Sequence, residues 1–259
     1  MPMINADDGC PIHVQVEGRE GAPVLMLSNS LGTSLNMWDD QAPEFSKHFR
    51  LVRYDRRGHG KSGVPKGPHS MERFGRDVIA VADALKIKTF NWCGLSMGGM
   101  VGQWLGANAP DRVEKLVLSN TNFHYADKAP WSDRIKFVQE KGLGALVDLH
   151  MALWFTKGFR ERAPQTIARM KEIFLATNPV GYIASCEAIR DMDFTASNPR
   201  INAPTLVIVG NQDPATPPAA GEAIAKQIKG AKVAALDAAH IANMEQPKAY
   251  TETVLTFLR

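Results

Sequence analysis

The stretch that decides the fold is Gly94-Leu95-Ser96-Met97-Gly98-Gly99. It follows the apolar run 90–93 and precedes an Ala- and Gly-rich stretch, 97–109, that stops at Pro110. A Gly-x-Ser-x-Gly pattern between a strand and a helix predicts a turn so tight that side chains beside the serine would collide. The serine is then held in strained backbone geometry, with its hydroxyl at a helix N-terminus that favours an anion. We therefore predict that Ser96 is a nucleophile; the alternative is a chance match in a Gly-rich turn.

Strand-like and helix-like segments alternate over much of the chain. Continuous apolar runs are typical of strands buried on both faces, and between them the apolar residues recur at helical spacing, as in 71–85. This alternation predicts an α/β fold with a mostly parallel central sheet and helices on both faces. The predicted strands are 13–17, 24–27, 51–54, 90–93, 113–118, 205–209 and 232–236.

The alternation stops between residues 122 and 198. That stretch is rich in Trp and Phe, has helical periodicity in 132–141 and 164–176, and contains no convincing strand. Strand-like sequence resumes just after it. We therefore predict a helical cap inserted into one core, so that residues 1–121 form the first part of the core, 122–198 the cap and 199–259 the second part of the core.

Composition excludes several classes of protein. The 259 residues carry a formal net charge of +3 with no dense cluster of Lys and Arg, which argues against nucleic-acid and membrane-surface partners. No apolar run approaches the roughly 18 residues that cross a bilayer, and the polar N-terminus resembles no signal peptide. Cys10, Cys93 and Cys186 form neither a CxxC pair nor a zinc-binding pattern. We expect a soluble, cytoplasmic protein without a metal site.

A nucleophilic serine needs a general base, and in this type of fold the chain order is Ser, acid, His. Only His240 of the seven histidines follows every plausible acid, and it lies in a loop after the last predicted strand. We therefore expect His240 to take the proton from Ser96 and to return one to the leaving group. The other histidines singled out as surface or cap residues are His13, His48, His69, His124 and His150.

The acid that orients the imidazole should follow a strand end. Asp213 closes the turn Gly210-Asn211-Gln212-Asp213 directly after the predicted strand 205–209. Asp237 is the rival, but it lies only three residues before His240, where the backbone at the strand end fixes its direction. We predict Asp213, with an ordinary surface-turn aspartate as the alternative interpretation.

The negative charge that develops on an attacked carbonyl oxygen needs two N–H donors. One is the backbone N–H of the residue after the serine, Met97. The other should come from the loop after strand 24–27, whose sequence is Ser28-Asn29-Ser30-Leu31-Gly32-Thr33. We expect the N–H of Leu31 to be this second donor.

These motifs together resemble those of the α/β-hydrolases. Residues 55–62, Asp-Arg-Arg-Gly-His-Gly-Lys-Ser, are similar to the Asp-x-Arg-Gly-x-Gly-x-Ser turn of that superfamily. The Ser-Asn-Ser-Leu-Gly segment at 28–32, where many hydrolases have His-Gly, together with Trp38 and residues 93–99 and 238–247, is most similar to the 3-oxoadipate enol-lactonases. That resemblance implies hydrolysis of a small anionic enol-lactone to 3-oxoadipate, in the β-ketoadipate pathway of aromatic catabolism, without a cofactor.

Two short motifs resemble nucleotide-binding motifs in sequence. Gly58-x-Gly60-x-x-Gly63 matches the dinucleotide pattern, but Pro65 and Pro68 follow, so no helix N-terminus can hold a pyrophosphate. Gly60-Lys61-Ser62 resembles the end of a phosphate-binding loop, but Asp55 stands where that loop requires glycine. Neither motif predicts a nucleotide site.

The cap should select the substrate, because a lactone with an acetate arm needs an apolar wall and a cation or N–H group. Trp131 and Trp154 are candidates for the wall. We choose Trp131 and Arg134 as the substrate-binding pair; the alternative is that these residues are cap core and solvated charge. The four candidate cations are Arg134, Lys136, Arg160 and Arg190.

Other functions fit the same residues. A different small-ester or thioester hydrolase, or a cofactor-free haloperoxidase-like enzyme, would use the same Ser96, Asp213 and His240. A ligand-binding receptor that retains them without turnover is a third possibility. The oligomeric state is left open by the sequence.

Overall fold

The structure, a computed structural model, describes residues 3–259 and contains one eight-stranded sheet. The strand order is β1-β2-β4-β3-β5-β6-β7-β8. β2 pairs antiparallel with β1 and β4, and all other neighbours are parallel. The strands are β1 (Met3–Asn5), β2 (Pro11–Gly18), β3 (Val24–Ser28), β4 (Arg50–Tyr54), β5 (Phe90–Leu95), β6 (Val113–Ser119), β7 (Thr205–Gly210) and β8 (Lys232–Leu236).

Eleven α-helices surround the sheet in the part of the chain from residue 3 onward. None of them combines the length and the apolar character needed to span a membrane. The helices are α1 (Ala42–His48), α2 (Met71–Ala84), α3 (Met97–Asn108), α4 (Ala129–Lys141), α5 (Val147–Trp154), α6 (Lys157–Arg162), α7 (Pro164–Leu175), α8 (Pro179–Asp191), α9 (Pro218–Gln227), α10 (Ala242–Glu245) and α11 (Pro247–Leu258).

The central strands carry the functional loops at their carboxyl ends. Every residue of β5 and β7 is buried, which explains their continuous apolar sequences. β8 differs, because it is an edge strand and Val233 is 47% exposed. The sequence patterns missed β1, whose three residues form only an outer antiparallel pair with β2. All seven predicted strands are present, and their bounds agree with those of β2–β8 to within a few residues.

Between β6 and β7 the chain forms helices α4–α8, with one isolated β-bridge that joins His124 and Asp193. We call residues 129–191 the helical cap. The aromatic side chains of Trp154, Phe174 and Tyr182 pack around His150 inside it. Only α4 and α7 were expected from periodicity. The division of the chain at residues 121/122 and 198/199 stays a prediction.

Two glycines bring the backbones of the cap and the core into direct contact. A Cβ atom added to Gly58, in the loop after β4, would lie 2.5 Å from the Cα atom of Gly181 in α8. A Cβ atom added to Gly181 would lie 2.2 Å from the carbonyl oxygen of Gly58. The two backbones are therefore in direct contact, and neither position has room for a side chain.

Candidate active site

Ser96 lies in the turn between β5 and α3 with φ 57° and ψ −116°. This is a left-handed conformation that non-glycine residues rarely adopt. Its backbone N–H donates to the carbonyl oxygen of Ser119 over 2.8 Å, which fixes the turn against β6. A Cβ atom at Gly94 would lie 2.1 Å from the carbonyl oxygen of Gly98, and one at Gly98 would lie 2.2 Å from that of Ser28. Both glycines are thus required by close backbone contacts.

Asp213 and His240 are hydrogen-bonded to each other. The His240 Nδ1 atom lies 2.9 Å from Asp213 Oδ2, and both side chains are buried. Asp237 is exposed and its carboxylate instead accepts a hydrogen bond from the Gln212 side chain over 2.7 Å. The geometry therefore brings the predicted acid, and not its rival, to the imidazole.

The Asp213 carboxylate accepts several further hydrogen bonds. Oδ1 accepts from the backbone N–H groups of Ala215 and Thr216, at 2.8 and 2.9 Å. Oδ2 accepts from the Thr216 hydroxyl at 2.7 Å and from Asn120 Nδ2 at 3.0 Å. Burial raises the pKa of Asp213, but the charge of His240 and these hydrogen bonds outweigh burial and lower the pKa to about 2. The carboxylate is therefore ionised at neutral pH.

Asn120 is a site residue that the sequence patterns missed. It follows β6 directly, has φ 45°, and its side-chain amide also donates to the carbonyl oxygen of Ala239 over 3.2 Å. One amide group thus joins the acid to the residue that precedes His240. Its position in the chain could have indicated this role. Asn120 follows β6 and Asp213 follows the neighbouring strand β7, so both lie at the same edge of the sheet.

Ser96 and His240 both line one cavity of about 300 Å³. Within residues 3–259 no hydrogen bond joins the Ser96 hydroxyl to His240 in this structure, although the sequence predicts proton transfer between them. Hydrogen bonds of this kind are often long in ligand-free enzymes and tighten when substrate binds. The two side chains therefore share the cavity without being locked together.

One predicted oxyanion donor, Leu31, lies at this cavity, and the other, Met97, adjoins Ser96 in the chain as the first residue of α3. Among the residues that the structure describes, neither backbone N–H donates to a protein acceptor. The neighbouring N–H groups are used: that of Gly32 donates to His59 Nε2 and that of Gly98 to the carbonyl oxygen of Asn29, both over 3.0 Å. Two free N–H donors thus remain beside Ser96.

All three cap residues chosen from the sequence, Trp131, Arg134 and Trp154, line the same cavity. The Arg134 guanidinium lies over the Trp131 ring, 4.6 Å from its centroid. No carboxylate from residue 3 onward lies within 4.0 Å of Arg134, and none of the other candidate cations lines the cavity. Lys136 faces Glu140, and Arg190 pairs with Asp191. Arg134 is therefore the candidate cation that the structure brings to Ser96.

His150, expected only as a surface or cap residue, is a buried cap side chain that lines the cavity. Its Nδ1 atom lies 3.0 Å from the Leu146 carbonyl oxygen, so Nδ1 donates and Nε2 accepts from the Tyr182 hydroxyl, also at 3.0 Å. Burial, with the nearby charge of Arg134, lowers the pKa of His150 to about 4. His150 is thus a neutral part of the cavity wall.

Two other histidines expected at the surface or in the cap, His13 and His69, are buried in the core, so this expectation is wrong for them. His13 Nδ1 lies 2.8 Å from Asp55 Oδ2. The reason is that Asp55, buried after β4, needs donors for its carboxylate oxygens. The sequence patterns did not indicate this pair because the two residues are 42 positions apart.

Carboxylate oxygens of Asp7, Asp8 and Asp77 lie within 4.8 Å of one another, the spacing of a possible metal site. Arg57 binds both Asp8 and Asp77, and Arg73 binds both Asp7 and Asp77. The guanidinium groups therefore supply the positive charge that these carboxylates need. This cluster is an ion-pair network between the N-terminal segment, the β4 loop and α2.

Comparisons with known proteins agree with the fold. Residues 23–247 match the family model for the alpha/beta hydrolase fold. Two relatives are 3-oxoadipate enol-lactonases 2 and 1 of Acinetobacter baylyi, 38% and 32% identical; the matches cover 92% and 99% of this chain and 89% and 96% of the relatives. The crystal structure of the enol-lactonase from Burkholderia xenovorans LB400 superposes with a TM-score of 0.97 at 42% identity and covers 99% of both chains. The chain therefore belongs to the alpha/beta hydrolase family and, within it, is similar to the 3-oxoadipate enol-lactonases.

Proposed function

We propose that this protein hydrolyses 3-oxoadipate enol-lactone to 3-oxoadipate, with Ser96 as nucleophile, His240 as general base and acid, and Asp213 as the residue that orients His240. The observation that carries the proposal is one cavity lined by Ser96, by the His240 of a hydrogen-bonded Asp–His pair and by Arg134, a cation that pairs with no carboxylate among residues 3–259. The similarity to enol-lactonases supports lactone hydrolysis as the reaction class.

In the first half of the reaction Ser96 Oγ attacks the lactone carbonyl carbon while His240 Nε2 takes the hydroxyl proton. The oxygen of the tetrahedral intermediate becomes negative and accepts hydrogen bonds from the N–H groups of Leu31 and Met97. When the intermediate collapses, the bond from carbon to the ring oxygen breaks. His240 protonates that enol oxygen, which leaves an open-chain acyl-enzyme.

In the second half a water molecule attacks the acyl-enzyme and His240 takes its proton. The bond to Ser96 Oγ breaks, the serine regains its proton from His240, and the free enol becomes the ketone of 3-oxoadipate. Asp213 stays ionised and holds the Nδ1–H of the imidazole throughout, which keeps Nε2 directed at the reacting atoms. The enol is a good leaving group, so its departure needs less help from His240 as a general acid than the departure of an amine in amide cleavage would.

Substrate selection belongs to the cap in this proposal. The carboxylate of the acetate arm binds the Arg134 guanidinium, and the flat lactone ring packs against Trp154 and the apolar wall near Trp131. The guanidinium is already held over the Trp131 ring, so little side-chain entropy is lost on binding. A cavity of about 300 Å³ suits a substrate of this size.

The test is an assay of the purified protein with 3-oxoadipate enol-lactone beside p-nitrophenyl acetate, a small neutral ester. We expect fast lactone hydrolysis, weaker ester hydrolysis and no turnover by Ser96→Ala of either substrate. Robust ester hydrolysis without lactone hydrolysis would identify a different small-ester hydrolase. Binding of the lactone with no turnover at all would identify a receptor-like protein, and multiple turnover by Ser96→Ala would exclude Ser96 as nucleophile.

A further inference from the structure

Arg56 is a buried arginine to which the described part of the chain offers no acidic partner. Its side chain is 1% exposed, and no carboxylate in the described chain from residue 3 to 259 lies within 4.0 Å of its guanidinium. Burial lowers its pKa to about 10, so it remains charged at neutral pH. Its neighbour Arg57 differs, because it forms ion pairs with Asp8 and Asp77. A buried charge without a counter-ion is costly, so its hydrogen bonds define what it does.

All hydrogen bonds of the Arg56 guanidinium go to the loop after β3. Nη1 and Nη2 both donate to the carbonyl oxygen of Asn29 over 3.0 Å, and Nη2 also donates to the carbonyl oxygen of Ser30 over 3.1 Å. The Ser30 carbonyl and the Leu31 N–H belong to the same peptide group. The cation therefore binds the oxygen end of the peptide whose N–H end is the proposed oxyanion donor.

The two ends of that peptide group influence each other. A positive donor on a carbonyl oxygen draws electrons from the amide and makes its N–H a stronger hydrogen-bond donor. A charge-assisted hydrogen bond does this more strongly than a neutral one. The same arrangement, with neutral donors, occurs at the second oxyanion donor: the Ser96 carbonyl, which shares a peptide group with the Met97 N–H, accepts from the Thr121 hydroxyl over 2.7 Å.

Arg56 also links the two donor segments. The carbonyl oxygen of Asn29 accepts from Arg56 and from the backbone N–H of Gly98, the residue after Met97. The flanking N–H groups of the loop are already bound, that of Ser30 by Met37 Sδ at 3.2 Å and that of Gly32 by His59. The Leu31 N–H is thus left free while the guanidinium holds the carbonyls on the opposite side of the loop.

We infer that Arg56 is a positioning residue that fixes and polarises the Ser30–Leu31 peptide group, so that its charge strengthens the oxyanion donor from behind. The inference rests on the proposed function, because it needs the N–H of Leu31 to bind the reacting oxygen. Arg56 touches neither substrate nor the reacting atoms. Arg56 should therefore stabilise the transition state and adducts that carry an oxyanion, and should leave the affinity for substrate unchanged.

The test compares Arg56→Lys and Arg56→Met with the matched control Arg57→Lys, a change at the neighbouring buried arginine. Removal of a direct oxyanion donor costs about 10²–10³-fold in kcat. We expect a smaller loss here, about 10-fold for Arg56→Lys, which keeps the charge but cannot bridge both carbonyls, and about 100-fold for Arg56→Met. KM and the Kd of adipate, a stable diacid, should stay within about twofold of the wild type, since neither reports on an oxyanion.

Phenylboronic acid supplies the second readout, because it forms a tetrahedral anionic adduct with an active-site serine. Its inhibition constant should rise in parallel with the loss of kcat in both Arg56 variants and should stay unchanged in Arg57→Lys. Wild-type kcat and boronate affinity in Arg56→Lys and Arg56→Met would overturn the inference, as would a parallel loss of adipate affinity, which is the mark of a merely structural role. Turnover by Ser96→Ala would instead overturn the proposed function, and this inference with it.

Discussion

The backbone N–H of Ile241 donates to the carbonyl oxygen of Trp154 over 3.0 Å, which bonds the loop that carries His240 directly to the helical cap. Ala239, on the other side of His240, donates its N–H to the Glu245 carboxylate over 3.0 Å. Glu245 is only 4% exposed and also accepts hydrogen bonds from the N–H and hydroxyl of Thr156 in the cap. The position of the imidazole therefore depends on the cap as well as on Asp213.

Glu245→Ala should lower both stability and rate. The substitution leaves the N–H groups of Ala239 and Thr156 without an acceptor, so the free energy of unfolding should fall by about 2 kcal/mol or more. The kcat should fall because His240 is no longer anchored, whereas Glu245→Gln should retain part of both. Urea unfolding and lactone kinetics measure the two effects, with Glu252→Ala, at an exposed position of α11, as the control. Wild-type kcat in Glu245→Ala would contradict this role.

Asp213→Asn should lower kcat by about 10⁴-fold, because the amide donates to Nδ1 and stabilises the wrong imidazole tautomer. KM should change little, since Asp213 does not contact the substrate in the proposed mechanism. Asp237→Asn is the matched control and should keep the wild-type kcat, because that carboxylate contacts Gln212. The reverse result, with Asp237→Asn as the damaging change, would assign the acid to Asp237.

Arg134→Gln should raise KM for the anionic lactone by about 10- to 100-fold, the equivalent of one charged hydrogen bond. The kcat should change less, because Arg134 holds the carboxylate both before and during the reaction. Hydrolysis of p-nitrophenyl acetate, which lacks a carboxylate, should be unaffected. Lys136→Gln, two residues further along α4 at an exposed position, is the control. Equal losses for the lactone and the neutral ester would show that Arg134 shapes the cavity without binding the carboxylate.

Buried histidines should make the fold sensitive to acid. Burial, with the charge of Arg56, lowers the pKa of His59 to about 3, and that of His150 is lowered to about 4. Unfolded histidine titrates near 6.5, so the unfolded chain binds more protons as the pH falls below that value. The stability that these neutral histidines provide is present in full above about pH 6.5 and is lost progressively as the pH falls toward about 4 for His150 and about 3 for His59.

Urea unfolding at about pH 7 and about pH 5 tests this dependence. The loss of unfolding free energy between these two values should be smaller by about 2 kcal/mol in His150→Gln than in the wild type. His48→Gln, at a partly exposed position, should retain the wild-type loss. An unchanged loss in His150→Gln would mean that His150 is not held neutral.

Much of the site could be predicted because chain order and local pattern define it. Ser96 lies in a turn whose glycines are imposed by contacts within a few residues, and Asp213 and His240 follow strands that are recognisable as apolar runs. Parallel strands bring their carboxyl ends to one edge, so these residues come to the same edge of the sheet whatever the detailed packing. The same logic underlies the prediction of Leu31 and Met97 as oxyanion donors from position alone.

The residues that the patterns missed act through long-range contacts. Asn120 donates to Asp213 across 93 positions of the chain, and Glu245 contacts Thr156 across 89 positions. Arg56 was predicted only as one residue of the turn at 55–62, because nothing in the local sequence shows that its buried guanidinium binds two carbonyl groups. Short helices such as α5 and α6 were missed because α5 buries only three residues and α6 only one, too few for a periodic signal.

The contact between Gly58 and Gly181 has a consequence for protein engineering. Caps are attractive modules to exchange between related hydrolases, because they form the wall opposite the nucleophile. A transplanted cap whose α8 carries any side chain at the position of Gly181 would collide with the backbone of the recipient after β4, and the reverse holds for Gly58. A chimera of this scaffold should therefore keep the two glycines as a pair. It should also keep the hydrogen bond between the Ile241 N–H and the Trp154 carbonyl, and only then should residues in the cavity be redesigned.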